Sequence, residues 1–181
     1  RVARNSGKFL RRAGEVLGFP IDVIAGHEEA RLIYIGVAHV LPPGDAPRLV
    51  VDIGGGSTEL IVGRGMAPER LESLKLGCVT MSARFFPDGT LSKQAFEAAE
   101  THAQVEVEAI AREFSRRHWK EAYASSGTAL ALADILEQNG LSVAGITPDG
   151  LAKLRKRMID AGHIKRLRRA VLVLQNEFGH D

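Results

Sequence analysis

The residues best suited to chemistry fall in one run, Asp52-Ile53-Gly54-Gly55-Gly56-Ser57-Thr58-Glu59. Three consecutive glycines inside an apolar, β-branched context are costly in conformational entropy, so something must require them. One requirement is geometric: a hairpin turn that needs positive φ. The other is chemical: successive backbone N–H groups, unshielded by side chains, form a concave anion site. Ser57 and Thr58 add hydroxyl donors beside it. Asp52 and Glu59 flank the loop with carboxylates, which suit Mg²⁺, a hard cation bound through oxygen and water. No Gly-Lys-Ser/Thr follows, so the loop is not of the Walker A kind. The pattern points to phosphate binding.

Gly26-His27-Glu28-Glu29-Ala30-Arg31 reads as a strand end running into a helix start. Acidic residues in a first helical turn are favoured by the macrodipole, which accounts for both glutamates without chemistry. The functional reading is that one of them faces the phosphate loop and takes a proton from an attacking water. Spacing does not choose between Glu28 and Glu29, nor does it bring the two segments together. Ser125-Ser126-Gly127-Thr128 is again strand, small-residue turn and helix. Its free N–H groups and hydroxyls can hold a phosphate, although such turns also serve simply as helix caps. The histidines do not cluster: His102, His118, His163 and His180 are expected to be solvated, and His27 to be a bystander beside the glutamates. Cys78 has no adjacent basic or histidine partner and is expected to be a buried structural thiol.

These residues must be positioned by a mixed set of elements. Arg1–Leu17 is helical, with Gly18 after it. Ile21–Ala25, a short apolar run after Pro20, reads as a buried strand, and Glu28–Val40 as a helix. Pro42, Pro43, Gly44 and Pro47 make the clearest break and the best lobe boundary. Arg48–Ile53, Thr58–Gly63 and Arg70–Leu76 read as three strands of a meander. Ser92 caps a long helix whose stripe is Phe96, Ala99, Ala103, Val107, Ile110 and Phe114. Glu121–Ala124 reads as a strand, Ala129–Asn139 as a helix stopped at Gly140, and Thr147-Pro148 opens a helix to about Ala161. A basic cluster (Lys165, Arg166, Arg168, Arg169) follows on a further helical pattern, as a solvated face or a polyanion-binding one. The fold class is α/β or α+β.

Composition narrows the function classes. The chain has 181 residues, enough for one domain or two small ones, and 45% are hydrophobic, enough for a core. Lys plus Arg number 24 against 22 Asp plus Glu, a balance that gives no bulk argument for nucleic acid or membrane. One cysteine excludes a disulfide framework and a cysteine-based zinc site. No apolar run approaches the roughly 18–20 residues that span a bilayer. The chain opens at Arg1, not at Met, and shows no signal peptide. The expectation is a soluble, cytoplasmic chain that forms a piece of something longer.

Four segments together resemble the exopolyphosphatase / guanosine pentaphosphate phosphatase family. They are Ile21–Val37, with Gly-His-Glu-Glu-Ala-Arg-Leu at its centre; Leu49–Leu60, with Asp-Ile-Gly-Gly-Gly-Ser-Thr-Glu; Glu72–Val79; and Ala124–Thr128. They stand in the family's order and at close to its spacing, over about residues 1–160. The resemblance implies an actin-like ATPase (ribonuclease H-like) lobe, a mixed sheet with a β-meander and flanking helices. Residues 1–40 would be the end of a first lobe that is otherwise missing, and 41–181 a second lobe incomplete at its C-terminus. It also implies Mg²⁺-dependent hydrolysis of the terminal phosphoanhydride of inorganic polyphosphate, releasing orthophosphate. Glu29 would be the catalytic base, with Asp52 and Glu59 organising metal and water. Arg1, Gly54, Gly55, Gly56, Ser57 and Thr58 would contact phosphate, as would Ser126, Gly127 and Thr128 from the second lobe's loop. Family analogy implies a homodimer. The alternatives are a guanosine pentaphosphate 5′-phosphatase and a non-catalytic polyphosphate or nucleotide sensor.

Overall fold

The computed structural model describes residues 5–170. Two helices, α1 (Ser6–Leu17) and α2 (Gly26–Val40), precede three antiparallel strands, β1 (Arg48–Ile53), β2 (Thr58–Arg64) and β3 (Ala67–Leu74). The chain then runs through α3 (Cys78–Phe85) and α4 (Lys93–Glu108) to β4 (Glu121–Ser125), which pairs in parallel with β1. A parallel neighbour needs a long crossover, and α3 and α4 supply it. Helices α5 (Gly127–Gln138), α6 (Pro148–Ala161) and α7 (Ile164–Ala170) complete the described residues. The sheet order is β3-β2-β1-β4, the meander of the sequence reading extended by one parallel strand.

Alternation along the strands builds two cores. Val50, Ile61 and Leu71 share one face and pack against Ala30, Tyr34 and Ala38 of α2. Leu49, Val51, Leu60 and Val62 share the other, under Ile110, Phe114 and Trp119. Burying a side chain of this size contributes roughly 1.5–3 kcal/mol, so the sheet is fixed from both sides. A third cluster, Leu136, Leu141 and Leu154, joins α5 to α6. Arg48, buried at the start of β1, donates to the Pro42 carbonyl at 2.7 Å and to Glu121 at 3.3 Å. It thereby ties the proline-rich connection to the sheet.

The structure departs from the sequence reading in four places. Ile21–Ala25 is not a strand: it pairs with nothing described, and Val23 and Ile24 are 58% and 45% exposed. The third strand spans Ala67–Leu74, not Arg70–Leu76, after a register shift between Val62 and Gly63. The helix opened by Ser92, whose hydroxyl accepts from the Ala95 N–H at 3.1 Å, ends at Glu108. Phe114 therefore reaches the sheet from an irregular segment, held where Trp119 donates its indole N–H to the Phe114 carbonyl at 2.8 Å. Helix α3 was not foreseen, because it follows β3 after only three residues and is two turns long. The sequence-read cap at Thr147, with Pro148 first in the helix, is present as expected.

Candidate phosphate site and carboxylate row

The strand register aligns four side chains across the whole sheet. Ser73 on β3 stands opposite Glu59 on β2, Glu59 opposite Asp52 on β1, and Asp52 opposite Ser125 on β4. By the period of two these residues lie on the face that α2 covers, one pleat beyond Val50, Ile61 and Leu71. Glu59 is 1% exposed and accepts a hydrogen bond on Oε1 from the Ser73 hydroxyl at 2.8 Å. A polar, acidic row thus begins where the α2-covered core ends.

Helix α2 starts directly over that row. Its first residue, Gly26, lies so close to β3 that a Cβ there would come within 2.6 Å of Ser73 Oγ. The two glutamates that follow have different surroundings. Glu28 pairs with Arg31 through two contacts of 2.7 and 2.8 Å, and this hydrogen bonding holds its carboxyl below the usual carboxylate range. Glu29 has the opposite environment: although its side chain is exposed, desolvation at the start of the helix first, then the charges of Glu59 and Asp52, push its carboxyl above that range. Of the pair, Glu29 belongs electrostatically to the acidic row. His27 leans toward Glu72 at 3.6 Å.

The glycine loop leaves β1 at the same sheet edge. Gly54 closes it by donating its N–H to the Ser57 carbonyl at 2.9 Å. None of Gly54, Gly55 and Gly56 has a left-handed φ, so the turn does not need glycine for that reason. The hairpin is thus made without the left-handed φ expected from its sequence. The outer side of the loop is occupied by the start of α3, where Cys78 donates its N–H to the Gly54 carbonyl at 2.9 Å and Val79 to that of Gly55 at 3.0 Å. Gly77 makes this approach possible, because a Cβ there would lie 2.4 Å from the Gly55 and Gly56 backbone. The N–H groups of Gly55, Gly56 and Ser57 have no backbone acceptor among the described residues. Thr58 donates its hydroxyl proton to the Leu76 carbonyl, so it pins β2 to the β3–α3 connection and offers a ligand only lone pairs.

The second loop arrives beside the first. Thr128 approaches Cys78 with its Oγ1 3.6 Å from the sulfur. Cys78 is exposed here, contrary to the buried thiol expected, because it begins α3 at the junction of the two loops. Ser126 has φ +103°, and its hydroxyl accepts from the Ala129 N–H at 3.3 Å, capping α5. It is the one non-glycine residue with positive φ among those described, a conformation that usually marks a functional constraint. A Cβ on Gly127 would point into open space. Among the other histidines, His102 is half-buried against the Phe85 ring and within 3.2 Å of Arg84. Arg1, His180 and the side chains of Arg168 and Arg169 lie outside the described residues.

The residues that sequence reasoning missed are Gly26, Ser73, Gly77 and Cys78. Gly77 carried a local signal, a glycine at the end of a strand, but its partner Gly55 lies across a turn and one strand pair. Ser73 lay inside the resembling segment Glu72–Val79, but nothing local pointed to its bond with Glu59, since that depends on register.

As a donor set, Asp52 and Glu59 offer hard oxygens from adjacent strands. Among the described residues no three or more His, Cys, Asp or Glu side chains are grouped to enclose a metal. Such a set fits Mg²⁺, which keeps several waters and takes one or two carboxylates with substrate phosphate, and does not fit a zinc-type cage.

An open sheet with two small-residue loops outside the carboxyl ends of neighbouring parallel strands is a recurrent ligand-binding architecture of α/β proteins. The chain belongs to the Ppx/GppA phosphatase family, whose model matches residues 1–174. It is similar to the Ppx/GppA enzyme of Aquifex aeolicus, with 28% identity and a TM-score of 0.60 over 75% of this chain and 44% of that one. An exopolyphosphatase from Cytophaga hutchinsonii shares the fold at 22% identity, with a TM-score of 0.74 over 93% of this chain and 56% of that one. The chain therefore spans about half the length of the solved relatives it matches. The actin-like ATPase fold of these relatives agrees with the fold that the family resemblance implied. No helix among the described residues is long and apolar enough to cross a membrane.

Proposed function

We propose that this chain contributes the water-activating and phosphate-binding parts of a Mg²⁺-dependent exopolyphosphatase, which removes orthophosphate from the end of inorganic polyphosphate. The single observation that carries the reading is Glu29. It is a carboxylate with a raised proton affinity, coupled to Glu59 and Asp52, on the helix whose first residue abuts Ser73. Asp52 leads directly into the loop whose Gly55, Gly56 and Ser57 N–H groups have no backbone acceptor among the described residues.

Each residue has a role in that reaction. The N–H groups of Gly55, Gly56 and Ser57 take the non-bridging oxygens of the terminal phosphate, where negative charge builds in the transition state. Gly127 and Thr128 approach the same phosphate from the second loop, and Arg1 adds a positive charge. Glu29 accepts a proton from a water as the water oxygen bonds to phosphorus; the bridging P–O bond breaks, and the shortened chain leaves with the bond's electron pair. Asp52 and Glu59 would hold Mg²⁺, which when bound neutralises phosphate charge. Asp52 also keeps the water in line with the bond to be broken.

Guanosine pentaphosphate ends in the same phosphoanhydride and is the competing substrate. The deciding experiment is orthophosphate release from long-chain polyphosphate with Mg²⁺ by the full-length gene product, with Glu29→Gln beside it. Release that collapses in Glu29→Gln is the expected result. No release from polyphosphate, with rapid release from guanosine pentaphosphate, would move the assignment to the nucleotide. Tight polyphosphate binding without release from either substrate would make the protein a sensor.

A further inference from the structure

We infer that Ser73 is a positioning residue for Glu59, and that its contact with Gly26 sets the height of the first turn of α2 above the carboxylate row. The inference rests on the proposed reaction and adds to it two residues that touch neither phosphate nor water.

Three observations carry it. Glu59 is almost fully buried, so its carboxylate must find a donor inside the protein, and Ser73 Oγ provides one at 2.8 Å. Ser73 and Glu59 are register partners on β3 and β2, so the sheet itself fixes the direction of that bond. Gly26 then rests on the same side chain: a Cβ on it would stand 2.6 Å from Ser73 Oγ and 2.7 Å from Ser73 Cβ. One hydroxymethyl group therefore connects the helix that bears Glu29 to the acid that faces it. Without the hydroxyl, Glu59 loses the bond that orients its carboxylate. With a larger residue at 26, the first turn must rise and carry Glu29 away from the row. Displacements of about 1 Å in such constellations cost up to roughly a hundredfold in rate.

The test is steady-state orthophosphate release by the full-length gene product carrying Ser73→Ala, Ser73→Thr or Gly26→Ala, with Glu29→Gln as reference and a melting curve for each. Polyphosphate and guanosine pentaphosphate are both supplied. Ser73→Ala is expected to lower kcat by about ten- to hundredfold with KM nearly unchanged. Ser73→Thr, which keeps the hydroxyl on the same carbon, should recover most of it. Gly26→Ala should lower kcat in the same way, and it decides the matter if Ser73→Ala fails to fold. Wild-type kcat in Ser73→Ala or Gly26→Ala, or a loss confined to KM, overturns the inference. If Glu29→Gln collapses while Ser73→Ala does not, the reaction stands and only this inference falls. Full turnover in Glu29→Gln removes the reaction and the inference together.

Discussion

Asp52 and Ser125 stand opposite each other on parallel strands, and this pairing decides where the two small-residue loops meet. Parallel neighbours end on the same side of a sheet, so β1 runs into Gly54–Ser57 and β4 into Ser126–Thr128 at a common edge. Cys78 links the loops, its N–H on the Gly54 carbonyl and its sulfur against Thr128. Two phosphate-loop patterns separated by some seventy residues thereby become one surface, with Glu29 brought to it from the other end of the sequence.

The environment of Glu29 yields a pH prediction. Local desolvation and the charges of Glu59 and Asp52 raise its proton affinity, so the ionised base is lost at a higher pH than for an ordinary carboxylate. The acid limb of the pH–rate profile should lie correspondingly high, and removing a neighbouring charge by Asp52→Asn should lower the Glu29 pKa. Stability follows the same sign. The folded state binds the Glu29 proton more tightly than the unfolded chain does, so its contribution is most favourable at low pH. That contribution declines as pH rises through the folded pKa. Glu29→Gln should therefore melt no lower than the wild type at neutral pH while losing about 100- to 10,000-fold in kcat. A lower melting temperature would show that Glu29 is structural.

Two glycines predict opposite outcomes. Gly77→Ala puts a methyl 2.4 Å from the Gly55 backbone, where the start of α3 holds the loop. Overpacking of this kind costs about 1–3 kcal/mol, and denaturant unfolding should show it. Gly56→Ala meets no atom within 4 Å and needs no left-handed φ, so its stability should stay near wild type. If the open side of the loop receives phosphate, Gly56→Ala nonetheless weakens orthophosphate binding by calorimetry. Unchanged binding would move the phosphate elsewhere.

Thr58 gives a smaller test of the same framework. Its hydroxyl donates to the Leu76 carbonyl, so Thr58→Val should cost about 1 kcal/mol of stability while Thr58→Ser keeps the bond. Urea midpoints for the two variants measure the difference.

The legible part of the fold lay where local pattern and tertiary environment agree. Leu49–Ile53 and Leu60–Val62 are rich in β-branched residues and alternate against two cores, so their strands could be read directly. The Asp52 and Glu59 carboxylates were legible as a flanking pair because a short hairpin dictates that they face each other. Ser73 was not, because its bond to Glu59 depends on where β3 begins and on the irregularity at Val62 and Gly63. Ile21–Ala25 was misread because an apolar run of five residues carries no record of whether a strand will pair with it. Cys78 looked like a core thiol until the unforeseen helix α3 placed it at a loop junction.

Ser126 carries the most distinctive stability prediction. Its φ of +103° is a conformation that glycine adopts freely and other residues adopt at roughly 1–3 kcal/mol, yet its hydroxyl also caps α5 through the Ala129 N–H. The two effects separate in a pair of substitutions. Ser126→Ala keeps the strained backbone and loses the cap, at about 1 kcal/mol. Ser126→Gly loses the hydroxyl but releases the strain, and glycine at a cap position costs only a few tenths of a kcal/mol relative to serine. The glycine variant should thus be at least as stable as wild type and clearly more stable than the alanine variant. Denaturant midpoints in that order would confirm that the second loop is held under strain. A glycine variant less stable than alanine would mean that Ser126 adopts an ordinary backbone conformation in solution.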